Sequence, residues 1–188
     1  MNGEIAAYSS GLILSFCCRP GKSLVANPAR RPGSSTAKSV KTTESGGPQG
    51  YDAAKKIKGR KRHVVTDTTG LLVGAVVHPA DIQDRDGAGL VIAAVHVPWL
   101  RHLFADSAYA GDKLLNRLAE FGHWTIELVK RPAATAGFQP LPRRWVVEQT
   151  LAWLNRNRRL AKDFEASIAS ATAWIYIASM QLLVRRLA

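Results

Sequence analysis

The fold is decided by the stretch HVVTDTTGLLVGAVV, residues 63–77. It has two β-rich apolar runs on either side of Thr68-Thr69-Gly70, a triplet typical of a turn, and it therefore predicts a β-hairpin. The chain that follows alternates between helical and strand patterns. The predicted elements are a helix through Gly87 to Val95 capped by Asp81 or Asp84, a strand over 100–105, a helix from Gly111 to Gly122, a strand over 124–128, a helix from Pro142 to Arg159, and a last helix capped by Ser167 or Ser170. This order predicts the α/β class, with hairpin and crossover connections in one mixed sheet flanked by helices.

The charge of the chain indicates a polyanionic partner. Its 188 residues carry a formal net charge of +12, and 46% of them are hydrophobic, as in a soluble protein with a core of its own. Residues 52–66 and 143–162 each contain six basic residues and one acidic residue. Nucleic acid is the simplest partner for two such blocks. An anionic membrane surface is the alternative, but neither block has the clean apolar face of a membrane-binding helix.

Two further features bear on compartment and domain organisation. Cys17 and Cys18 are adjacent and unsuited to a disulfide, which predicts a reduced, cytoplasmic protein. The uncharged run from Ile168 to Val184 is short for a membrane span and predicts a buried helix, with no membrane partner. Residues 1–50 contain clusters of Gly, Ser and Pro and are predicted to be irregular or disordered, with a short strand as a candidate at Leu12–Cys18.

Two acidic residues are the candidates for chemistry. Asp106 follows an apolar strand, and ligands of open α/β sheets bind outside the carboxyl ends of strands. Glu148 is the one acid of the basic helix that begins at Pro142. Each has a structural alternative, since Asp106 suits a turn or a helix cap and Glu148 suits a solvated helix surface. Two carboxylates beside cationic side chains suit Mg²⁺-dependent phosphoryl transfer, because oxygen ligands hold the metal and cations hold the phosphates.

Five motifs follow one another in an order that resembles a known family. They are GYDAAKKIKGRKRHVVTDTTGLL from residue 50, HPADIQDRDGA from residue 78, FADSAYAG from residue 104, ELVKR from residue 127, and LPRRWVVEQTLAWLNRNRRLAKDFE from residue 141. From about Ser39 to the end, the chain resembles the transposases of bacterial insertion sequences. More narrowly, it is similar to the insertion-sequence-five type of the DDE superfamily.

The resemblance implies a partial RNase H-like catalytic domain over residues 51–188. It implies a site of three carboxylates that holds two Mg²⁺ or Mn²⁺ ions, and cleavage and transfer of strands at transposon ends and target DNA, with several copies assembled on the DNA. Asp106 matches the second catalytic Asp and Glu148 matches the catalytic Glu, so both are expected to bind metal. The residues expected to bind nucleic acid are Lys58, Arg60, Lys61, Arg62, Arg144, Arg156 and Arg159.

The chain departs from the family pattern at the first carboxylate. The family motif is Asp-Ser-Gln-Ser-Val-Lys-Thr, whereas residues 36–42 of this chain are TAKSVKT. Thr36 therefore stands where the first catalytic Asp belongs, and the apolar residues of the strand before it are absent. We expect this first, central strand to be missing or replaced, the domain to be N-terminally truncated, and the site to be inactive.

The signature around Glu148 is matched by Arg144, four residues earlier, but is otherwise incomplete. Leu141 and Asn155 stand in the positions of its Tyr and its Lys, and Arg156, Arg158 and Arg159 are candidates to supply the missing positive charge. Asp67 is a weaker candidate for the missing carboxylate, because an Asp before Thr68-Thr69-Gly70 is typical of a turn. Three hypotheses remain open at this point: retained strand cleavage, DNA binding without catalysis, and a chain that forms no stable protein.

Overall fold

A computed structural model describes residues 32–44, 46–95, 97, 99–122, 124–129 and 141–187. The predictions for residues 1–31, including the short strand at Leu12–Cys18, lie outside these described residues. The strands are β1 (Gly33–Lys41), β2 (Gly50–Asp52), β3 (Ile57–Asp67), β4 (Leu72–Pro79), β5 (His102–Ala105) and β6 (Thr125–Leu128). The helices are α1 (Asp84–Ala94), α2 (Asp112–Ala119), α3 (Pro142–Leu154), α4 (Arg158–Ala161) and α5 (Ile168–Leu187), and Ser107–Tyr109 forms a single 3₁₀ turn.

The strands form one mixed sheet with β1 in its interior. The order is β2-β3-β1-β5-β6, and β4 also pairs with β3. β1 runs antiparallel to β3 and parallel to β5, and β6 continues parallel to β5. The predicted hairpin is the antiparallel pair β3–β4. Asp67 closes its turn, because the Asp67 carboxylate accepts hydrogen bonds from the amides of Thr69 and Leu71, both at 2.8 Å.

β1 is the strand that the sequence predicts to be missing or replaced. It is present and pairs with β3 along its whole length, so the prediction of irregular structure through Gly50 is wrong for Gly33–Lys41. Its first residues, GSSTAK, lack the apolar alternation of a strand, but the backbone hydrogen bonds with β3 do not depend on side chains. Small residues are also needed here, since a Cβ on Gly33 would lie 2.7 Å from the Thr66 carbonyl oxygen.

Helices cover both faces of the sheet. On one face α1 and α2 enclose a cluster that includes Val65, Val91, Leu103 and Leu118. On the other face α3 and α5 enclose a second cluster that includes Val64, Val147, Leu154 and Ile175. Neighbouring residues of a strand point to opposite faces, so Val64 and Val65 anchor the two clusters from adjacent positions.

The helix that contains Glu148 is shorter than the sequence predicts. α3 ends at Leu154, and the Asn157 side chain accepts a hydrogen bond from the Arg159 amide, which caps the separate helix α4. The prediction of one helix to Arg159 is therefore wrong. An Asn side chain that caps a new helix competes with continuation of the old one. As a result, Arg159 does not continue one stripe with Arg144 and Glu148, whereas Asn155, the C-cap of α3, keeps helical geometry.

The last helix, α5, is buried on one face only. Ala171, Ile175, Ala178 and Ser179 are buried, whereas Ile177, Met180, Val184 and Leu187 are exposed. In the described part of the chain, α5 alone is long and apolar enough to cross a membrane by length and composition, and 22% of its most apolar window is buried. Core helices of soluble proteins pass the same test. α5 packs against the sheet, where the Tyr176 hydroxyl accepts a hydrogen bond from the Ala75 amide at 3.1 Å.

Candidate active site

Asp106 lies directly after β5, at its carboxyl end. One carboxylate oxygen, Oδ1, accepts a hydrogen bond from the Ala108 amide at 2.9 Å and caps the 3₁₀ turn that follows. The other oxygen, Oδ2, lies 3.8 Å from Nη2 of Arg144. One oxygen of Asp106 therefore caps a turn, which was the structural alternative to a role in chemistry. The second oxygen faces α3.

Glu148 lies on α3, one helical turn after Arg144. The helix packs on the sheet through Val147 and Leu154, and the Ser34 hydroxyl of β1 donates a hydrogen bond to the Arg143 carbonyl oxygen near its start. Glu148 Oε1 lies 3.1 Å from Arg144 Nη2, as an i,i+4 ion pair. The Arg144 guanidinium thus contacts both candidate carboxylates, Asp106 and Glu148.

The register of β1 and β5 indicates where Thr36 lies relative to Asp106. The last pair in this parallel register is Ser34 and Phe104, and its extension by two residues on each strand would bring Thr36 abreast of Asp106. Thr36 is also the partner of Val64 on β3, whose side chain belongs to the cluster under α3 and α5. Residues directly opposite in a strand pair face the same side, so Thr36 lies on the face that α3 covers.

These residues do not fit the two divalent ions that the family implies. A pair of Mg²⁺ or Mn²⁺ ions needs several anionic oxygen ligands, and the donor set consists of two carboxylates and the neutral hydroxyl of Thr36. The Arg144 guanidinium contacts both carboxylates at the distances given above, so its single positive charge offsets half of their combined charge. Within the described residues, no group of three or more His, Cys, Asp or Glu side chains is placed to hold a metal ion.

The basic stretch of β3 is largely structural. Arg60 is fully buried and donates to the Asp163 carboxylate and to the carbonyl oxygens of Pro48, Glu165 and Ala166. Lys61 is 6% exposed, and its ammonium group lies 3.0 Å from an Asp84 oxygen and 3.6 Å from an Asp52 oxygen.

Arg62 is buried in the same way. It is 4% exposed and donates to the carbonyl oxygens of Leu160 and Lys162. The prediction that Arg60 and Lys61 contact nucleic acid is therefore corrected, because their charges are paired with acids inside the fold. Arg62 is too buried to contact nucleic acid directly, but its Nε atom has no hydrogen-bond partner. Lys58, at the start of the same strand, is exposed and remains a candidate.

The other predicted cations lie on the surface around α3 and α4. Arg156 and Arg159 are exposed. Arg159 is tied to Glu165 at 2.5 Å and lies over the Trp174 ring, with 5.1 Å from Cζ to the ring centroid. Arg144 is 31% exposed and engaged with the two acids. The structure thus leaves Arg156 and Lys58 as the most open of the predicted nucleic-acid contacts.

The sequence did not single out Arg143 and Glu127 as site residues. Arg143, with 59% of its side chain exposed, lies 2.6 Å from Glu127 on β6 and covers the Phe104 ring at 4.7 Å. Glu127 pairs with Phe104 in the register of β5 and β6, and its other oxygen lies 3.4 Å from His102. The signal in the sequence was the basic pair Arg143-Arg144 at the start of the helix. Only the sheet order places Glu127 beside that pair.

Three similarities to known proteins complete the description. Residues 35–183 match the family model described as the transposase DDE domain. The putative transposase for insertion sequence element IS402 of Burkholderia cepacia is 31% identical over 130 residues, which cover 63% of this chain and 59% of that protein. The match thus spans less than two thirds of the relative's length.

A solved structure is similar in fold. The catalytic core domain of BIV integrase superposes with a TM-score of 0.50 at 16% sequence identity, covering 81% of this chain and 82% of that chain. This likeness, together with the mixed sheet flanked by helices, confirms the RNase H-like fold.

Proposed function

Because the chain belongs to the DDE-domain family of insertion-sequence transposases, we propose that it binds DNA without cleaving it. One observation carries the proposal. Arg144 lies between two carboxylates, Asp106 and Glu148, and Thr36 stands where the family motif has its first Asp. The retained strand cleavage that the family activity would imply is the competing function.

The loss of cleavage follows from the charge of the donor set. Transposition chemistry in this family generally relies on divalent ions. Here a divalent ion would lack one of the three anionic ligands that the family site provides. A site with too few ligands holds the ions weakly and out of line with the reacting phosphate.

DNA binding is supported by the exposed positive charge. The chain has a formal net charge of +12, and Lys58, Arg156 and Arg158 are exposed. Contacts between such side chains and the phosphate backbone release counterions and depend little on sequence. Assembly of several copies on the DNA stays a prediction.

The test of catalysis is a nicking assay on supercoiled DNA that carries the ends of the element, in Mg²⁺ and in Mn²⁺. We expect the wild-type protein and the Glu148→Gln variant to give the same background. Metal-dependent nicking by the wild type that disappears in Glu148→Gln would show that cleavage is retained and would overturn the proposal.

The test of binding is the salt dependence of affinity for a short duplex, measured by fluorescence anisotropy between 50 and 200 mM salt. The slope of log K against log salt should be steep, at about −0.9 for each phosphate contacted. Arg156→Gln should reduce the magnitude of this slope by about 0.9, the value for one phosphate contact. Arg85→Gln is the matched control, since Arg85 is equally exposed but lies on α1, across the sheet from α3. Affinity that is absent or insensitive to salt would exclude DNA binding of this kind.

A further inference from the structure

A narrow cleft opens between β1, β3 and the segment from α3 to α5. Its polar lining consists of Lys38, Arg62 and Asn155, and its apolar lining consists of Val64, Leu151, Leu154, Leu160 and Ile175. The interior measures about 10 Å³, which is room for about one water molecule. A larger polar group would therefore bind at the mouth of the cleft and not inside it.

Two cations meet at this cleft. Lys38 and Arg62 are direct partners in the register of β1 and β3, so their side chains leave the sheet on the same face. Two of the Arg62 nitrogens, Nη1 and Nη2, donate to carbonyl oxygens at the end of α4. The third nitrogen, Nε, is buried and has no hydrogen-bond partner.

Lys38 lacks an acidic partner in the described part of the chain. No carboxylate there lies within ion-pair distance of its ammonium group. Asp163 is the acid that interacts with Arg62, but it is already buried in an ion pair with Arg60. Burial and the neighbouring Arg62 guanidinium lower the pKa of Lys38. Like charges directly opposite each other in a strand pair are destabilising. An anion between the two side chains would remove that repulsion and satisfy the unpaired donor.

We propose that Lys38, Arg62 and Asn155 form a phosphate-binding site that takes a backbone phosphate of DNA. The Lys38 ammonium and the Asn155 amide donate to the phosphate at the mouth, and Arg62 Nε–H reaches it through one water in the interior. The identification of DNA as the source of the phosphate rests on the proposed function, whereas the site itself does not.

The position of the site fits a strand that crosses the face covered by α3. Lys38 lies two residues after Thr36 on β1, on the same face as Thr36 and about 7 Å further along the strand. A phosphate held by Lys38 would therefore lie next to the Asp106–Arg144–Glu148 group. The positive charge of Arg156 follows Asn155 directly and extends the same surface.

Two residues that line this cleft, Lys38 and Asn155, differ from the family motifs. The first difference adds a positive charge, and the second removes one. The family pattern has Gln at position 38 and Lys at position 155, whereas this chain has Lys38 and Asn155. Both Lys38 and Asn155 line the cleft, so the cleft of this chain contains one lysine. The predicted substitutes Arg156, Arg158 and Arg159 are not among the residues that line it.

The first experiment uses inorganic phosphate at constant ionic strength and measures the melting temperature. Phosphate should raise the melting temperature of the wild-type protein by about 2–4 °C, as expected for about 1 kcal/mol of binding. Lys38→Gln should lose this shift. Lys41→Gln is the matched control and should retain it, because Lys41 is exposed on the same strand but points to the opposite side.

The second experiment restores the lysine from the other side of the cleft. The double variant Lys38→Gln/Asn155→Lys should recover the phosphate-dependent shift in melting temperature. In duplex binding, Lys38→Gln should reduce the slope of log K against log salt by the value of one phosphate contact, and the double variant should restore that slope. Melting without phosphate verifies that each variant is folded. The same shift in Lys38→Gln as in the wild type, or a folded double variant that recovers nothing, would overturn the site.

The two experiments separate the site from the proposed function. A phosphate shift that depends on Lys38, in a protein that binds no duplex, would support the site with free phosphate as its ligand and would reject DNA binding. Duplex binding with the same salt slope in Lys38→Gln and the wild type, without a phosphate shift, would support DNA binding and reject the site.

Discussion

Arg60 and Asp163 form an ion pair of 3.2 Å in which both side chains are buried. The remaining guanidinium donors of Arg60 bind the carbonyl oxygens of Pro48, Glu165 and Ala166, so the connection between α4 and α5 is held to β3 by one side chain. Arg60, in the basic stretch of β3, therefore stabilises the packing of the α4–α5 connection against the sheet.

Asp163→Asn should strongly destabilise the protein. It removes the charge that compensates buried Arg60, and breaking a buried ion pair from one side costs about 3–5 kcal/mol. The measurement is urea unfolding, with Lys58→Gln as the control, since Lys58 is exposed on the same strand and should change stability by no more than about 0.5 kcal/mol. Equal stabilities for the two variants would show that the pair contributes nothing.

Thr36→Asp should create a metal site. The new carboxylate would stand abreast of Asp106 if the register of β1 and β5 continues, and it would supply the third anionic ligand beside Arg144. We expect the affinity for Mn²⁺, measured by titration calorimetry, to increase about tenfold or more, because hard cations are held by anionic oxygens. Thr68→Asp in the exposed hairpin turn is the control, and Thr36→Asp/Glu148→Gln should lose most of the gain. An unchanged affinity in Thr36→Asp would place residue 36 away from the acids.

Stability should fall between neutral and mildly acidic pH because of His63. This side chain is buried, its ring centroid lies 4.8 Å from that of His78, and its Nδ1 lies 3.4 Å from the Tyr109 hydroxyl. Burial, and then the positive charges of His78, Lys61 and Lys55, lower the pKa of His63 from 6.5 to about 3. The unfolded chain therefore binds one more proton between these two pH values.

The stabilisation associated with His63 is complete above pH 6.5 and is lost as the pH falls toward 3. The loss should approach about 1.4 kcal/mol for each pH unit well inside this window. Burial also lowers the pKa of His78, which acts in the same direction. Urea unfolding at pH 7.5, 6.0 and 5.0 measures the slope, and His63→Gln should flatten it, whereas His102→Gln should not. The same slope in His63→Gln as in the wild type would contradict this assignment.

Two glycines of α1 should respond differently to alanine. A Cβ on Gly87 would lie 2.5 Å from Nε2 of both His63 and His78, whereas a Cβ on Gly89 would meet the flexible side chain of Arg117 at 3.0 Å. Gly87→Ala should therefore cost about 1–3 kcal/mol through overpacking. Gly89→Ala should be close to neutral, since the higher helix propensity of alanine, about 1 kcal/mol, offsets the small shift of Arg117. Thermal unfolding measures both variants, and equal effects would argue against close packing at the histidines.

Much of the fold could be predicted because it has local causes. The alternation around Thr68-Thr69-Gly70 predicted the hairpin, and helical spacing predicted α1, α2 and α5. The predicted Asp cap of α1 was wrong, because the helix follows Gln83 and has no side-chain cap. The central strand β1 could not be predicted, since its small polar residues carry no apolar period and its hydrogen bonds come from distant partners. The end of α3 was also missed, because Asn155 and Asn157 are compatible with a helix until the capping geometry is known.

Some features of the candidate site could likewise be predicted from the sequence, and others could not. The sequence by itself determined the family and the absence of a carboxylate at position 36, and it predicted the acids Asp106 and Glu148, since residue types and their order suffice for these. Only the tertiary structure decided that Arg144 lies between the two acids and that Lys38 shares a cleft with Asn155. It also decided that the basic stretch of β3 is buried, because its partner Asp163 lies about a hundred residues away along the chain. Burial and charge pairing depend on distances in space, and spacing along a chain does not specify them.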